Sequence, residues 1–260
     1  MILEEEMDAT REREQVRQDE LAMIAALDTR AEFYELLASL YFAPLKQEQI
    51  DNLAQADLSG WAELNELFAE GANDIARYLR KRNTGTRQEL AVDFTGAFAG
   101  TSTYKGKTAV PYKSVFTSAT GLLMQEGYRD VVHAMRAESV TKRAGLDWPD
   151  DHLSFLFEFM ALESRRTRDA LLDGRLELAL HYLNASGDFL DAQIASWFGM
   201  FRDQALLLLH TRFYRGVLKI TQGFIELDEQ SLFEMIDVVE SAAPSDFESL
   251  HEGQEPRDEQ

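Results

Sequence analysis

Residues 146–160 read Leu146-Asp-Trp-Pro-Asp-Asp-His-Leu-Ser-Phe-Leu-Phe-Glu-Phe-Met160, in which a proline and two aspartates stand directly before a strongly apolar run. Pro149 fixes its own φ and disfavours helix in the residue before it, so the stretch predicts a bend. Asp150 or Asp151 can then cap the following helix, because a carboxylate accepts the free N–H groups of its first turn. His152 would fall in that first turn. The simplest interpretation is a capped helix with an exposed histidine, and the alternative is a polar site at the bend.

Helical periodicity extends outward from this bend over most of the chain. Apolar side chains recur at steps of three and four, which is the spacing of one helix face, and alternating β patterns are scarce. Pro44 is expected to end the first helix, and Gly127 and Gly145 are expected as C-terminal stops. The sequence therefore predicts an all-α fold, a single helical-bundle domain of about ten helices without a fixed repeat. The predicted helices cover residues 19–42, 61–82, 87–98, 114–126, 128–144, 151–172, 175–185, 188–201, 203–221 and 228–240.

The two ends of the chain and two internal segments interrupt this pattern. Residues 1–18 form a charge-dense extension, residues 19–242 the helical domain, and residues 243–260 an acidic tail whose few apolar residues predict disorder. Within the domain, residues 100–113 predict a long loop and residues 145–151 contain the bend. Long loops in helical domains are often functional, so the loop is a candidate hinge. Opening there would let helices exchange between chains, so the sequence leaves both a monomer and a domain-swapped dimer open.

The composition limits the classes of partner. The 260 residues include 46 acidic and 26 basic side chains, a formal net charge of −20, which argues against nucleic-acid binding and favours a cationic partner such as a basic peptide. Cysteine is absent, which excludes a disulfide framework, a thiolate metal site and a cysteine nucleophile. The N-terminus lacks the pattern of a signal peptide, and no apolar run approaches the ~20 residues that span a bilayer. These features predict a cytoplasmic protein that is not inserted in a membrane.

No constellation of residues predicts catalysis. The sequence contains neither a phosphate-binding glycine loop nor a G-x-S-x-G nucleophile elbow. Its histidines are scattered, and a di-iron site in a helical bundle would need two Glu-x-x-His elements and two further glutamates, which are missing. We therefore assign no catalytic residue, no metal ligand and no cofactor. Helices rich in aromatic residues, combined with strong acidity, instead suit a peptide held in a groove with its arginines on carboxylates.

Three blocks of sequence carry a resemblance to a known family. The blocks are Phe94-Thr-Gly-Ala-Phe-Ala-Gly100, Val110-Pro-Tyr-Lys-Ser-Val-Phe116, and Pro149-Asp-Asp-His152 followed by Glu158-Phe-Met-Ala161. In the same order, they are similar to motifs of the TorD/DmsD family of redox-enzyme maturation chaperones, and the resemblance covers residues 30–227. Trp148 stands where that family usually has an acidic residue, and Tyr112 replaces the more common tryptophan. We expect this protein to differ from its relatives at Trp148.

The resemblance implies an all-helical cytoplasmic chaperone without a cofactor of its own. Such proteins bind the twin-arginine signal peptide, the apo-form, or both, of a molybdopterin-containing oxidoreductase, assist cofactor insertion and delay export until maturation. The residues that match the family's peptide site by position are Phe94, Phe98, Pro111, Tyr112, Pro149, Asp151 and His152. Phe116 and Asp150 are added for the physical roles given below, and Trp148 is added as the departure from the family next to Pro149.

Each class of residue in this predicted site has an expected role. Asp151, together with Asp150, is expected to pair with the arginines of the peptide. His152 would orient a carboxylate or bond the peptide backbone. The aromatic residues expected to line a groove for the apolar segment are Phe94, Phe98, Tyr112 and Phe116, whereas Phe155, Phe157 and Phe159 are expected in the core.

Two other functions remain open. A NarJ-type assembly factor, related to the same family, would act on a non-exported reductase subunit rather than on a leader peptide. A nucleotide-binding helical protein would use the same polar cluster, although the absence of a phosphate loop speaks against it.

Overall fold

Helices account for the regular structure of the described chain, as the sequence predicts. The computed structural model describes residues 2–58, 60 and 63–241, and for residues 2–17 and 20 it describes the backbone alone. The predicted tail at 243–260 lies outside the described residues. In chain order the helices are α1 (Ile2–Phe42), α2 (Gln47–Gln55), α3 (Glu66–Leu79), α4 (Thr86–Ala97), α5 (Lys113–Thr117), α6 (Glu126–Ala137), α7 (Leu153–Leu172), α8 (Leu176–Phe189), α9 (Ser196–Leu206) and α10 (Arg212–Ser241), with a π-helical turn, Leu190–Ala195, between α8 and α9.

Two helix pairs build the bundle. α1 packs along α7, α3 packs along α10, and α8 contacts both α7 and α10. The interior between them is rich in large aromatic side chains, and Trp197, Tyr34, Tyr41 and Tyr214 are fully buried. Apolar burial of this kind is the main favourable term in folding. Among the described residues, none of the helices combines the length and apolar character needed to cross a bilayer.

Two glycines allow α3 and α10 to approach closely. A Cβ atom on Gly71 would lie 2.6 Å from Cγ1 of Ile220 and 2.7 Å from the carbonyl oxygen of Gly216. A Cβ atom on Gly216 would lie 2.8 Å from the carbonyl oxygen of Gly71. All three distances are well inside van der Waals contact, so neither position has room for a side chain.

A buried ion pair ties α1 to α7 and α10. The Arg30 guanidinium donates to both carboxylate oxygens of Asp228, at 2.6 and 2.8 Å, and to the Ser164 hydroxyl at 2.5 Å. The Tyr34 hydroxyl also donates to Asp228. A buried charge needs such partners, because removing one of them would leave the other without compensation. This cluster fixes α1 against α7, and these two helices form the walls of the site described below.

The end of the bundle departs from the sequence prediction. Helices were expected over 203–221 and 228–240, but α10 runs unbroken through Asp228, and the break lies earlier, between α9 and α10. The reason is a contact distant in sequence: the carboxylate of Asp93 on α4 accepts the backbone N–H groups of His210 and Thr211, both at 2.8 Å. An external carboxylate at these free N–H groups fixes the start of α10.

The segment after α4 also differs from the prediction. One helix was expected over 114–126, but α5 ends at Thr117, and Gly121 and Met124 have φ of 65° and 59°, which a right-handed helix excludes. Gly127 is not a helix stop but lies in the first turn of α6, where a Cβ atom would be 2.6 Å from the Thr117 hydroxyl. The short helix α2 was not predicted at all.

Candidate functional site

The bend before α7 pairs with the segment that leads into α5. Tyr112 and His152 form an isolated antiparallel bridge. The backbone N–H of Leu153 donates to the carbonyl of Pro111 at 2.8 Å, and that of Lys113 donates to the carbonyl of Asp151 at 3.1 Å. Backbone hydrogen bonds therefore hold these two blocks side by side. The blocks lie about forty residues apart in the sequence, a separation that a folded chain readily closes.

Asp151 anchors this pairing from the inside. Its side chain is 0% exposed, and one carboxylate oxygen accepts the backbone N–H of Ser114 at 2.8 Å. Burial raises the pKa of Asp151, and its hydrogen bonds with Ser114 oppose the shift. The expectation that Asp150 or Asp151 caps α7 is wrong: His152 is the cap residue, and Asp151 satisfies the first turn of α5 instead.

His152 is a neutral, buried cap rather than a residue of the first helical turn. Its Nδ1 accepts the backbone N–H of Ser154 at 3.2 Å, so the ring proton belongs on Nε2. Burial lowers the pKa of His152 to about 3. The ring lies among four aromatic rings whose centroids are 4.8 to 6.4 Å away, namely Tyr112, Trp148, Phe155 and Phe42. Nε2 has no hydrogen-bond partner among the described residues.

An open cleft of about 670 Å³ lies beside this aromatic cluster. We call it the α1–α7 cleft, because its walls come from α1, α7 and the loop that follows α6. The apolar side chains that line it are Ala38, Phe42, Met135, Val140, Leu146, Phe155, Phe159 and Leu162. Trp148 stands next to it, 38% exposed, with its ring 5.7 Å from that of Phe42. Its volume falls within the range of known small-ligand sites.

The cleft is lined by three cations, Lys142, Arg143 and Arg165, and by two carboxylates, Asp150 and Glu158. Lys142 donates to Asp150 at 3.1 Å, and Arg165 pairs with Glu35. Glu158, exposed on the cleft face of α7, forms no ion pair or hydrogen bond with a described residue. Partial burial raises the pKa of Glu158, the charge of Glu35 adds to the rise, and Arg165 opposes it. The cleft therefore presents a carboxylate that forms no direct ion pair with a described cation.

The predicted site residues divide into two groups. Trp148 and Asp150 lie at the α1–α7 cleft, with Pro149 between them. The others are buried or turned into the bundle: Phe94 and Phe98 contact Tyr214, Phe116 stacks on Trp197, and Pro111, Tyr112, Asp151 and His152 form the backbone pairing. In this conformation Phe94, Phe98 and Asp151 do not reach solvent, because the core closes over them.

Of the residues that line the cleft, only Asp150 was in the predicted site. Glu158 and Leu162 follow Phe155 at steps of three and four, which places all three on one face of α7. Sequence reasoning placed Phe155 in the core together with Phe157 and Phe159, but Phe155 is only half-buried and lines the cleft. The spacing was a usable signal. The proximity of Phe42 on α1 could not be predicted from the sequence, because it depends on the packing of α1 against α7.

The arrangement defines a helical protein with an apolar cleft that carries both carboxylates and cations, next to a buried polar bend. Within the described residues, no group of His, Asp and Glu side chains is placed to hold a metal ion. Residues 61–203 match the model of the family described as nitrate reductase delta subunit, and the chain belongs to that family.

Curated relatives agree with this assignment. The chaperone protein TorD of Vibrio cholerae serotype O1 is 28% identical over 214 residues, which cover 80% of this chain and 94% of the relative. The chaperone protein TorD of Vibrio vulnificus is 28% identical over 211 residues, covering 79% and 95%, and that of Aliivibrio fischeri is 26% identical over the same shares. The resemblance found in the three sequence blocks is thereby confirmed.

Proposed function

We propose that this protein is a maturation chaperone that binds the twin-arginine signal peptide of a molybdopterin-containing oxidoreductase in the α1–α7 cleft. The observation that carries the proposal is the combination, in one cleft, of an apolar lining with the unpaired carboxylate of Glu158. Membership of a family whose curated relatives are named chaperones supports it. A bound leader would keep the apo-form from export while its cofactor is inserted.

The lining of the cleft suits the apolar part of a leader. An apolar helix that lies in a groove between helices presents side chains at steps of three and four. Phe42 from α1 and Phe155 and Leu162 from α7 offer apolar contacts on both walls of the cleft. Each apolar side chain buried there would contribute roughly 1.5–3 kcal/mol before the cost of ordering the peptide.

The charges of the cleft suit the arginines that precede the apolar part. Glu158 can accept a guanidinium as a bidentate pair, and Asp150, which pairs with Lys142 in the free protein, provides a second carboxylate in the same lining. The exposed ring of Trp148 offers a face on which a guanidinium can stack. Asp151 then has a different role from the one expected from sequence, because it fixes the bend rather than pairing with arginine.

Calorimetry with two synthetic peptides tests the proposal. One peptide carries an Arg-Arg pair ahead of an apolar segment, and the matched control carries Gln-Gln at the same positions. We expect the Arg-Arg peptide to bind at least tenfold more tightly, and its affinity to fall as salt rises, because exposed charges are screened. Equal affinity for both peptides would overturn the role of the arginines, and no binding of either would overturn the proposal.

A second candidate is an assembly factor that acts on the mature reductase subunit. The observation in its favour lies outside the cleft, where Leu122, Leu123 and Met124 form a run of exposed apolar side chains between α5 and α6. Such an exposed apolar patch commonly marks a contact with another protein. Binding of a catalytic subunit that lacks its leader, together with no binding of the leader peptide, would favour this function.

A further inference from the structure

The amine of Lys142 contacts three groups at the rim of the α1–α7 cleft. Lys142 follows α6, and its Nζ donates to the backbone carbonyl of Trp148 and, at 3.1 Å, to the carboxylate of Asp150. The same Nζ lies 5.6 Å from the centre of the Phe155 ring. The side chains of Lys142 and Asp150 are only 19% and 20% exposed, so the ion pair is largely screened from water.

These three groups are also those that bind an arginine side chain well. A carbonyl and a carboxylate accept N–H groups, and an aromatic face attracts the planar guanidinium. Arginine offers five donors in a rigid fork, whereas a lysine amine is a compact charge on a flexible stem. The subsite that Lys142 fills therefore matches an external arginine at least as well as it matches Lys142.

We propose that Lys142 is a built-in competitor for an arginine of the bound peptide. In the free protein it occupies the subsite formed by Trp148, Asp150 and Phe155, and it leaves when an arginine of the ligand enters. The inference rests on the proposed function and adds a specificity device to it. A peptide with uncharged residues at the arginine positions gains little by displacing Lys142, because it offers no cation to replace the one that leaves.

Removal of the competitor is expected to tighten binding. Lys142→Met keeps the length of the side chain and removes its charge, so the Arg-Arg peptide should bind about three- to tenfold more tightly, the range expected for release of a part-buried ion pair. Lys142→Arg keeps a cation and should bind no more tightly than the wild type. Lys81→Met removes one lysine charge from an exposed turn after α3 and serves as the matched control, with an expected change below twofold.

Calorimetric titration of the full chain with the Arg-Arg and Gln-Gln peptides tests the inference. The gain for Lys142→Met should be seen with the Arg-Arg peptide alone, and it should vanish in the Asp150→Asn background, because the subsite then lacks its carboxylate. Lys142→Gln is a second uncharged variant in case the first does not fold. The expected result is an arginine-dependent gain in either variant.

Two results would count against separate parts of the account. If the wild type binds the Arg-Arg peptide but Lys142→Met and Lys142→Gln bind it equally or more weakly, the competitor role is overturned and the proposed function stands. If the wild type fails to bind the peptide, the proposed function fails, and the competitor role fails with it.

Discussion

The carboxylate of Asp151 accepts the backbone N–H of Ser114 at 2.8 Å, with its side chain closed off from solvent. This bond joins the bend before α7 to the start of α5, and two backbone hydrogen bonds flank it, from Lys113 to the Asp151 carbonyl and from Leu153 to the Pro111 carbonyl. The proline–aspartate–histidine block is therefore a structural joint. It holds Trp148 and Asp150 at the rim of the α1–α7 cleft, whereas Asp151 and His152 are buried.

Asp151→Ala should lower the free energy of unfolding, because Asp151 is a structural residue and not a direct contact of the peptide. The substitution leaves the Ser114 N–H buried without an acceptor, which costs about 1–3 kcal/mol of unfolding free energy. Asp151→Asn retains an acceptor oxygen and should cost less. Urea unfolding followed by circular dichroism measures both values. An Asp151→Ala protein as stable as the wild type would contradict the structural role.

His152→Asn should remove the part of the folding stability that depends on the buried, neutral imidazole and is lost in acid. Asparagine preserves an acceptor at the helix cap but loses the ring contacts, so the variant should be about 1–3 kcal/mol less stable at pH 7. The pKa of His152 falls from 6.5 to about 3 on burial, so the ring's contribution is present above pH 6.5 and is lost as the pH falls toward 3. The difference in unfolding free energy between the wild type and the variant should therefore become smaller from pH 7 to pH 4, as measured by urea unfolding. A difference that stays constant would show that the ring does not titrate as a buried group.

Glu163→Gln should remove a contribution to folding stability whose pH dependence is opposite to that of His152. Glu163 is fully buried on α7, and one of its oxygens accepts from Arg166 at 2.8 Å. Burial raises the pKa of Glu163 from 4.5 to about 7, with Arg166 opposing and Glu138 adding to the shift. The folded state then binds the proton more tightly, so this stabilisation is complete below pH 4.5 and is lost as the pH rises to about 7.

The test for Glu163 compares two thermal unfolding series. Between pH 5 and pH 8 the wild type should lose on the order of 2 kcal/mol of stability relative to Glu163→Gln. Since His152 is present in both proteins, its opposite contribution cancels in the difference. Parallel pH curves for the two proteins would refute the raised pKa.

Glu158→Gln should weaken peptide binding without weakening the fold. The carboxylate is exposed on the cleft face of α7 and forms no ion pair with a described cation, so its loss should remove only the proposed contact with the ligand. We expect the affinity for the Arg-Arg peptide to fall about three- to tenfold and the affinity for the Gln-Gln peptide to stay the same. Glu240→Gln, an equal charge change in the exposed last turn of α10, is the control. Similar losses in both variants would point to the net charge instead of to a site.

The sequence predicts the parts of this fold that depend on local pattern. Apolar spacing is sufficient for residues 19–42 of α1, for α4 and for α7, but α1 begins earlier, at Ile2. Gly174, with φ of 66°, follows α7 as a left-handed stop. The start of α10 could not be predicted, because it depends on Asp93, which lies more than a hundred residues away and accepts the N–H groups of His210 and Thr211. The residues around the start of α10 do not indicate that such a distant partner exists.

The candidate site shows the same division between local and distant effects. The block Pro149-Asp-Asp-His152 and the block around Tyr112 are visible in the sequence, and the structure brings them together. What the sequence does not reveal is which acid faces solvent. Asp151 is turned inward by its bond to Ser114, and Glu158 is turned outward by its position on α7.

Photo-crosslinking tests the central claim, that the α1–α7 cleft binds the leader, most directly. An Arg-Arg peptide with a photoreactive phenylalanine analogue in its apolar segment is bound to the full chain, irradiated and mapped by mass spectrometry. The account predicts crosslinks to Phe42 on α1 and to Phe155 and Leu162 on α7, which are lost when unlabelled peptide competes. Crosslinks confined to residues 122–124 or to α10, with none in the cleft, would contradict it.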